Sequence, residues 1–175
     1  MADKKKDASG VAKKPSTKKA ETAAGATDAP ALDGKQIFAV LRVRGLSGVS
    51  PKQKHTMLML NLKRSNQATI VKHNISYDGM LKICKDYITW GPISREVLVK
   101  MIAKRGRTGS AKISADEAGK MADALLEGKT LTEINLNKNF RLSPPSGGWK
   151  QKKRRYPQGD LGPRESMDEI LRRMI

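Results

Sequence analysis

The residues of this chain whose types and spacing could do chemistry are mostly cations. Between Trp149 and Tyr156 stand Lys150, Lys152, Lys153, Arg154 and Arg155, a dense positive run bracketed by two aromatic rings. Lysine and arginine neutralise phosphates while aromatic faces stack on unpaired bases, and the two interleaved suit structured or single-stranded RNA. The same run also reads as a nuclear-import-like cluster or as a solvated loop. A second concentration, KRGRTGSAK at 104–112, sets Lys104, Arg105, Arg107 and Lys112 among glycines. It lacks the G-x-x-x-x-G-K-[ST] spacing of a nucleotide-binding loop, and no apolar strand precedes it. Cations around flexible glycines suit close approach to a phosphate ridge, the alternative being a solvated helix end. A third pair, Arg42 and Arg44, closes one face of an apolar strand, as either a solvated rim or a phosphate-facing surface.

Little in the sequence supports catalysis. His55 and His73 are the two histidines, both in polar, lysine-rich settings without metal-ligand spacing. The acidic pairs Asp116–Glu117 and Asp168–Glu169 fall in first helical turns, where capping and the helix dipole account for them. Cys84 is the single cysteine, which excludes an internal disulfide and a cysteine-based metal cluster; it reads as a small buried residue rather than a nucleophile. A non-enzyme with no cofactor, no metal and no small-molecule substrate is expected.

Over 175 residues, 35 Lys and Arg stand against 17 Asp and Glu, a formal net charge of +18. That excess is far beyond what solubility requires and points to a polyanionic partner. Nor is it confined to a tail, since residues 37–140 carry 18 basic against 8 acidic side chains. A globular surface that itself faces nucleic acid is therefore expected. No apolar run reaches transmembrane length, and the lysines at 4–6 precede polar residues rather than a signal-peptide core, so a cytoplasmic protein without a membrane partner is expected.

The elements that must position these cations follow from periodicity. In IFAVLRVRG, Ile37, Ala39, Leu41 and Val43 alternate with Phe38, Val40, Arg42 and Arg44, the period of a strand with one wholly buried face. Ser50, Pro51 and Gln53 predict a capping box and a helix to about Lys63, with Met57, Leu58, Met59, Leu60 and Leu62 as its apolar stripe. ATIVK predicts a second strand. Ser76 then caps a helix carrying Met80, Leu81 and Cys84 on the face that continues to Ile88, and ITWG with Pro92 predicts a third strand. The result is an α/β core in the order β-α-β-α-β over 36–93. A helical extension over 94–139 follows, with Val97, Leu98, Met101 and Ile102 inward on its first helix and a Ser114–Glu117 capping box opening its second. LTEINL adds one further short helical turn. Residues 140–175 form a basic arm too rich in Pro, Gly and cations to pack by itself, ending in a short helix that a Ser166–Glu169 box would cap. Residues 1–35, almost without large apolar side chains, read as a disordered Lys/Ala-rich tail, either a solvated spacer or an RNA-binding arm.

Taken together, RVRG at 42–45, YDGMLKICKDYITWG at 77–91, KRGR at 104–107, FRLSPPSGGW at 140–149 and LGPRESMDEILRRM at 161–174 resemble the archaeal and eukaryotic branch of the large-subunit ribosomal protein thirty family. The resemblance runs from about Ile37 to Ile175. It implies a small core with some likeness to the ferredoxin fold, a helical extension and a C-terminal arm lying on rRNA. It further implies a structural role in the large ribosomal subunit, in the cytoplasm. The implied partners are large-subunit rRNA, in this branch the 5S rRNA region, and neighbouring ribosomal proteins. Carried over by position, the rRNA contacts it implies are Arg42, Arg44, Lys104, Arg105, Arg107, Trp149, Lys150, Lys152, Lys153, Arg154 and Arg155, to which the aromatic–cation run adds Tyr156. A free RNA- or DNA-binding regulator or RNA chaperone shares the charge and remains the alternative from another class.

Overall fold

The centre of the fold is a strand buried on both sides. In a computed structural model that describes residues 36–175, β1 (Ile37–Arg42) lies between β2 (Gln67–Lys72) and β3 (Ile88–Pro92) and is antiparallel to both, with Val40 opposite Thr69 on one flank and Trp90 on the other. The two helices that link these strands, α1 (Pro51–Met59) and α2 (Ile75–Cys84), cover one face of the sheet, where Val40 packs with Met57, Leu60, Leu81 and Cys84. The α/β core is thus the β-α-β-α-β unit expected. The tail expected over 1–35 lies outside the described residues.

The second face is covered too. The alternate side chains Ile37, Ala39 and Leu41 enter a larger core with α3 (Arg95–Arg105) and α4 (Ala115–Leu126), which supply Val97, Leu98, Met101, Ile102, Ala118, Ala122 and Leu125. Between α3 and α4 a two-stranded hairpin, β4 (Arg107–Thr108) and β5 (Ala111–Lys112), projects with every residue of its strands exposed. The segment after Asn139 then returns to the sheet. Its β6 (Phe140–Arg141) extends the sheet beyond β2, β7 (Gly162–Pro163) runs parallel to β3 at the opposite edge, and α5 (Asp168–Met174) buries Ile170, Leu171 and Met174 in the larger core. The strand order is β6-β2-β1-β3-β7. The basic arm therefore packs on its own domain, because Phe140, Leu161 and Met167 give it the apolar anchors that its Pro/Gly content obscures. Gly91 permits the contact: a Cβ there would stand 2.5 Å from the Arg164 carbonyl oxygen.

Helix ends follow local backbone chemistry more closely than serine positions do. α1 stops at Met59 rather than near Lys63, because Asn61 takes a left-handed φ of 59° while its N–H reaches Leu58 O and the Leu62 N–H reaches Met57 O. That pair of bonds closes the helix. Within α1 the helical period turns Leu58 and Met59 away from the face of buried Met57, the latter 59% exposed, so the expected stripe narrows to Met57, Leu60 and Leu62. Ser50 makes no side-chain cap and Gln53 instead donates to Ile83 O; Asn74, not Ser76, precedes α2. The Ser114–Glu117 box forms in both directions, and Gly128 at φ 103° closes α4. Thr130 and Glu133 make a similar reciprocal pair over the LTEINL turn. At α5 the expected box is absent: Met167 is the N-cap, and the Asp168 carboxylate accepts the Ser94 N–H at 2.9 Å, tying α5 to the start of α3.

The expectation for Arg42 is corrected outright. Its side chain is 0% exposed on the α1/α2 face of β1, where it donates to Leu62 O at 2.8 Å, Lys63 O at 3.0 Å and Arg44 O at 2.8 Å. The alternation that placed it opposite the buried row was right, but the opposite face has a core of its own. Burial draws its pKa below the ordinary guanidinium value, with Cys84 acting in the opposite sense. Burial likewise pushes the Cys84 thiol up to about 11, with Arg42 pulling it the other way. Cys84 is thus a neutral core group, not a nucleophile.

Two stability predictions follow. Arg42→Ala strands the Leu62 and Lys63 carbonyls and costs about 2–4 kcal/mol in urea unfolding. Arg42→Lys recovers little of this, since a single ammonium cannot span three acceptors as the guanidinium fork does. The raised Cys84 pKa means that the folded state holds the thiol proton longer than the unfolded chain. Its contribution is full below pH about 9 and is lost as pH rises toward 11, at a slope of up to about 1.4 kcal/mol per unit. In Cys84→Ala that extra slope disappears, as paired urea titrations across this window would register.

Candidate nucleic-acid interface

With both sheet faces covered, exposed cations are left on the outer helix faces and, most densely, at the sheet edges. At the β2/β6 edge a concavity of about 780 Å³ is lined by Lys63, Arg64, Lys104, Arg105, Arg107, Lys138 and Arg141, with neutral Asn and Gln side chains between them. No carboxylate lines it, and none of these seven cations pairs with a described Asp or Glu.

Four chain segments build this cleft, and backbone bonds hold them together. The last turn of α3 presents Lys104 and Arg105, and the β4–β5 hairpin presents Arg107. The Asn137 N–H donates to Arg107 O, and its side-chain amide donates to Gly109 O at 3.1 Å, fixing the hairpin against the 137–139 loop. Thr69 on β2 donates to Lys138 O at 2.8 Å, which anchors that loop to the sheet. Asn66, left-handed at φ 59°, donates its N–H to Arg42 O and accepts from the Leu142 N–H, so the Lys63–Arg64 turn is held against β1 and the start of the arm. The Arg64 N–H is in turn held by the Gln67 side chain at 2.8 Å. Arg105 is half-buried and spends one Nη on the Ser143 hydroxyl and the Ile175 carbonyl, making it part positioning group; the other six cations are exposed. Concentrated cations on a fixed frame, with no acid to screen them, make a surface for a phosphate backbone.

The residues singled out in the sequence do not all meet here. Lys104, Arg105 and Arg107 line the cleft; Arg44 and residues 149–156 lie toward the β3/β7 edge, four strand spacings from β6, about 19 Å. There the Arg44 guanidinium sits 5.0 Å from the Tyr87 ring centroid and donates to Asp86 O, while Arg155 pairs with the Asp86 carboxylate at 3.0 Å. Lys150, Lys152, Lys153 and Arg154 are exposed. Trp149 differs from its expected stacking role, since its ring is partly buried against the larger core; Tyr156 is the open aromatic, 43% exposed. Arg42 is absent from both surfaces.

Sequence reasoning passed over Lys63, Arg64, Lys138 and Arg141. A signal was present: NLKRSNQ at 61–67 and NLNKNFR at 135–141 are acid-free stretches in which Asn61, Asn66 and Asn135 adopt left-handed turns. Such turns expose the cations beside them, but nothing local reveals that strand pairing of Gln67 with Arg141 brings the two stretches side by side. Among the described residues no group of three or more His, Cys, Asp or Glu is arranged to hold a metal, and no helix is long and apolar enough to cross a membrane.

Residues 38–88, the strand-helix-strand-helix segment leading into β3, match the family described as Ribosomal protein L30p/L7e. Among similar proteins, large ribosomal subunit protein uL30 of Methanosphaera stadtmanae is 36% identical over 152 residues, covering 79% of this chain and 100% of its own length. The uL30 proteins of Archaeoglobus fulgidus and Nanoarchaeum equitans are 38% and 36% identical, each over 79% of this chain and 99% of their own length. Identity of that extent across essentially whole relatives, on the mixed α/β core the sequence predicts, shows that this chain belongs to the ribosomal protein L30p/L7e family.

Proposed function

We propose that this protein is a structural constituent of the large ribosomal subunit in the cytoplasm and binds large-subunit rRNA chiefly through the β2/β6-edge cleft. The observation that carries the rRNA contact is the cleft itself, with its seven cations and no lining carboxylate. Such a surface binds by neutralising phosphates and releasing their counterions, while its rigid outline selects among folded RNA shapes. The second cationic surface, with Lys152, Lys153 and Arg154 exposed, adds contacts at the opposite edge. Neighbouring ribosomal proteins and the 5S rRNA region complete the proposed surroundings. Family membership supports the expectation that the protein is not an enzyme.

Replacing Lys63, Arg64, Lys104 and Arg107 together with Ala is expected to weaken binding to transcribed large-subunit rRNA. It should also lower the magnitude of the log-affinity against log-salt slope by about one per phosphate contact removed. An unchanged slope would take the cleft out of the interface. The same measurement on Lys152, Lys153, Arg154 and Arg155 replaced by Ala weighs the opposite edge. In a sucrose gradient of native lysate, the protein should migrate stoichiometrically with the large subunit and resist moderate salt. Recovery in the light fractions would favour a free nucleic-acid-binding regulator.

A further inference from the structure

Beside the 149–156 run lies a small concavity unlike the cleft. Its volume is about 230 Å³, and its lining includes Tyr156, Asp160 and Arg164 together with Lys150, Glu169 and Arg173. The interior is rigidly set. Arg164 donates to Asp160 Oδ1 at 2.8 Å and to Thr89 Oγ1 at 3.0 Å, while Asp160 Oδ2 accepts the Gln151 N–H at 3.2 Å. The Arg164 and Asp160 side chains are only 9% and 5% exposed, and the guanidinium stands 5.1 Å from the Tyr156 ring centroid. A buried ion pair thus supports one side of an aromatic ring that the core does not enclose.

Carboxylates in the lining separate this pocket from the acid-free cleft. Asp160 is matched by Arg164, and Arg173 is committed to the Ser146 and Gly148 carbonyls. Those carbonyls occupy the donors of Arg173 without cancelling its charge, so an exposed Lys150 and an exposed Glu169 stand beside the open ring with the tethered Arg173 cation in the same lining. A phosphate in the pocket would meet the carboxylate. An uncharged nucleobase is not repelled by it: the base has a π-face for Tyr156 and ring-edge N–H groups that donate to Glu169. The volume agrees, since it falls below the roughly 300–1,000 Å³ of pockets that enclose a drug-sized ligand and suits one part of a larger one.

We propose that this pocket receives a single unpaired RNA base, stacked on Tyr156, with Glu169 accepting hydrogen bonds from its edge and Lys150 meeting the adjoining phosphate. Guanine fits the acceptor best, because its N1–H and N2–H donors point the same way and match the two oxygens of a carboxylate. The proposal rests on the rRNA-binding reading above and adds a base contact to its phosphate contacts.

The two kinds of contact separate in a salt titration of the full chain against transcribed large-subunit rRNA. Tyr156→Ala is expected to weaken binding by about 5- to 100-fold at every salt concentration, the range of a lost base–aromatic stack, and to leave the slope unchanged. Tyr156→Phe, which keeps the ring, should bind within about twofold of the unaltered protein, with the same thermal midpoint. Glu169→Gln should lose affinity for the same RNA without a change of slope. Binding by Tyr156→Ala within twofold of the unaltered protein would overturn the pocket while leaving the cleft standing. So would normal rRNA affinity with impaired subunit incorporation, which would assign the pocket to a protein neighbour. No salt-dependent binding by the unaltered chain would overturn the rRNA reading itself, and this one with it.

Discussion

Burial of β1 on both faces governs where the rest of the molecule can act. A small sheet with one open face could present its cations on that face, directly to a polyanion. Here Val40 meets the α1/α2 layer while Ala39 and Leu41 meet the α3/α4/α5 layer, so neither face is free. Positive charge is displaced to the outer faces of the helices, the two sheet edges and the loops beyond them. It also explains why one cation, Arg42, is enclosed: the strand carries it into a core, where three carbonyl oxygens accept from Nε and one Nη while the other Nη has no partner. A guanidinium in that setting organises the chain around it, joining the end of β1 to the loop that follows α1.

The edges then divide the work by charge. The cleft at the β2/β6 edge concentrates cations with no carboxylate in its lining, which suits a phosphate backbone. The β3/β7 edge mixes cations with Asp86, Asp160 and Glu169, so several of its arginines are held in ion pairs or to carbonyls before any partner arrives. Pre-paired side chains contribute less to counterion release but hold their neighbours in place. Tyr156 is the main beneficiary of that order.

How much of this was legible in the sequence depended on whether the cause was local. The alternation of Ile37 to Arg44, the inward set on α3 and the Ser114–Glu117 box were readable because a strand pleat, a helical period and a cap involve only neighbours. The fold class followed from them. The burial of Arg42 was not readable, because a period-two pattern gives the two faces of a strand but not the number of layers stacked on them. The early end of α1 turned on one asparagine in a left-handed conformation, a choice made by the packing of Leu60 and Leu62. For the cleft, three of the seven cations could be seen as a cluster in KRGR; the other four came from two distant stretches that meet only through the pairing of β2 with β6.

The returning segment has a consequence before any assembly takes place. Without it, β2 and β3 would be the outer strands of a three-stranded sheet, each offering a row of unpaired backbone groups as a template for another chain. β6 and β7 cover part of each row with two-residue strands, and two-residue strands are too short to recruit a new partner in turn. The same residues that bring Arg141 to one edge and position Tyr156 near the other therefore blunt the sheet against self-association. Short covering strands of this kind leave less backbone open to copies of the chain.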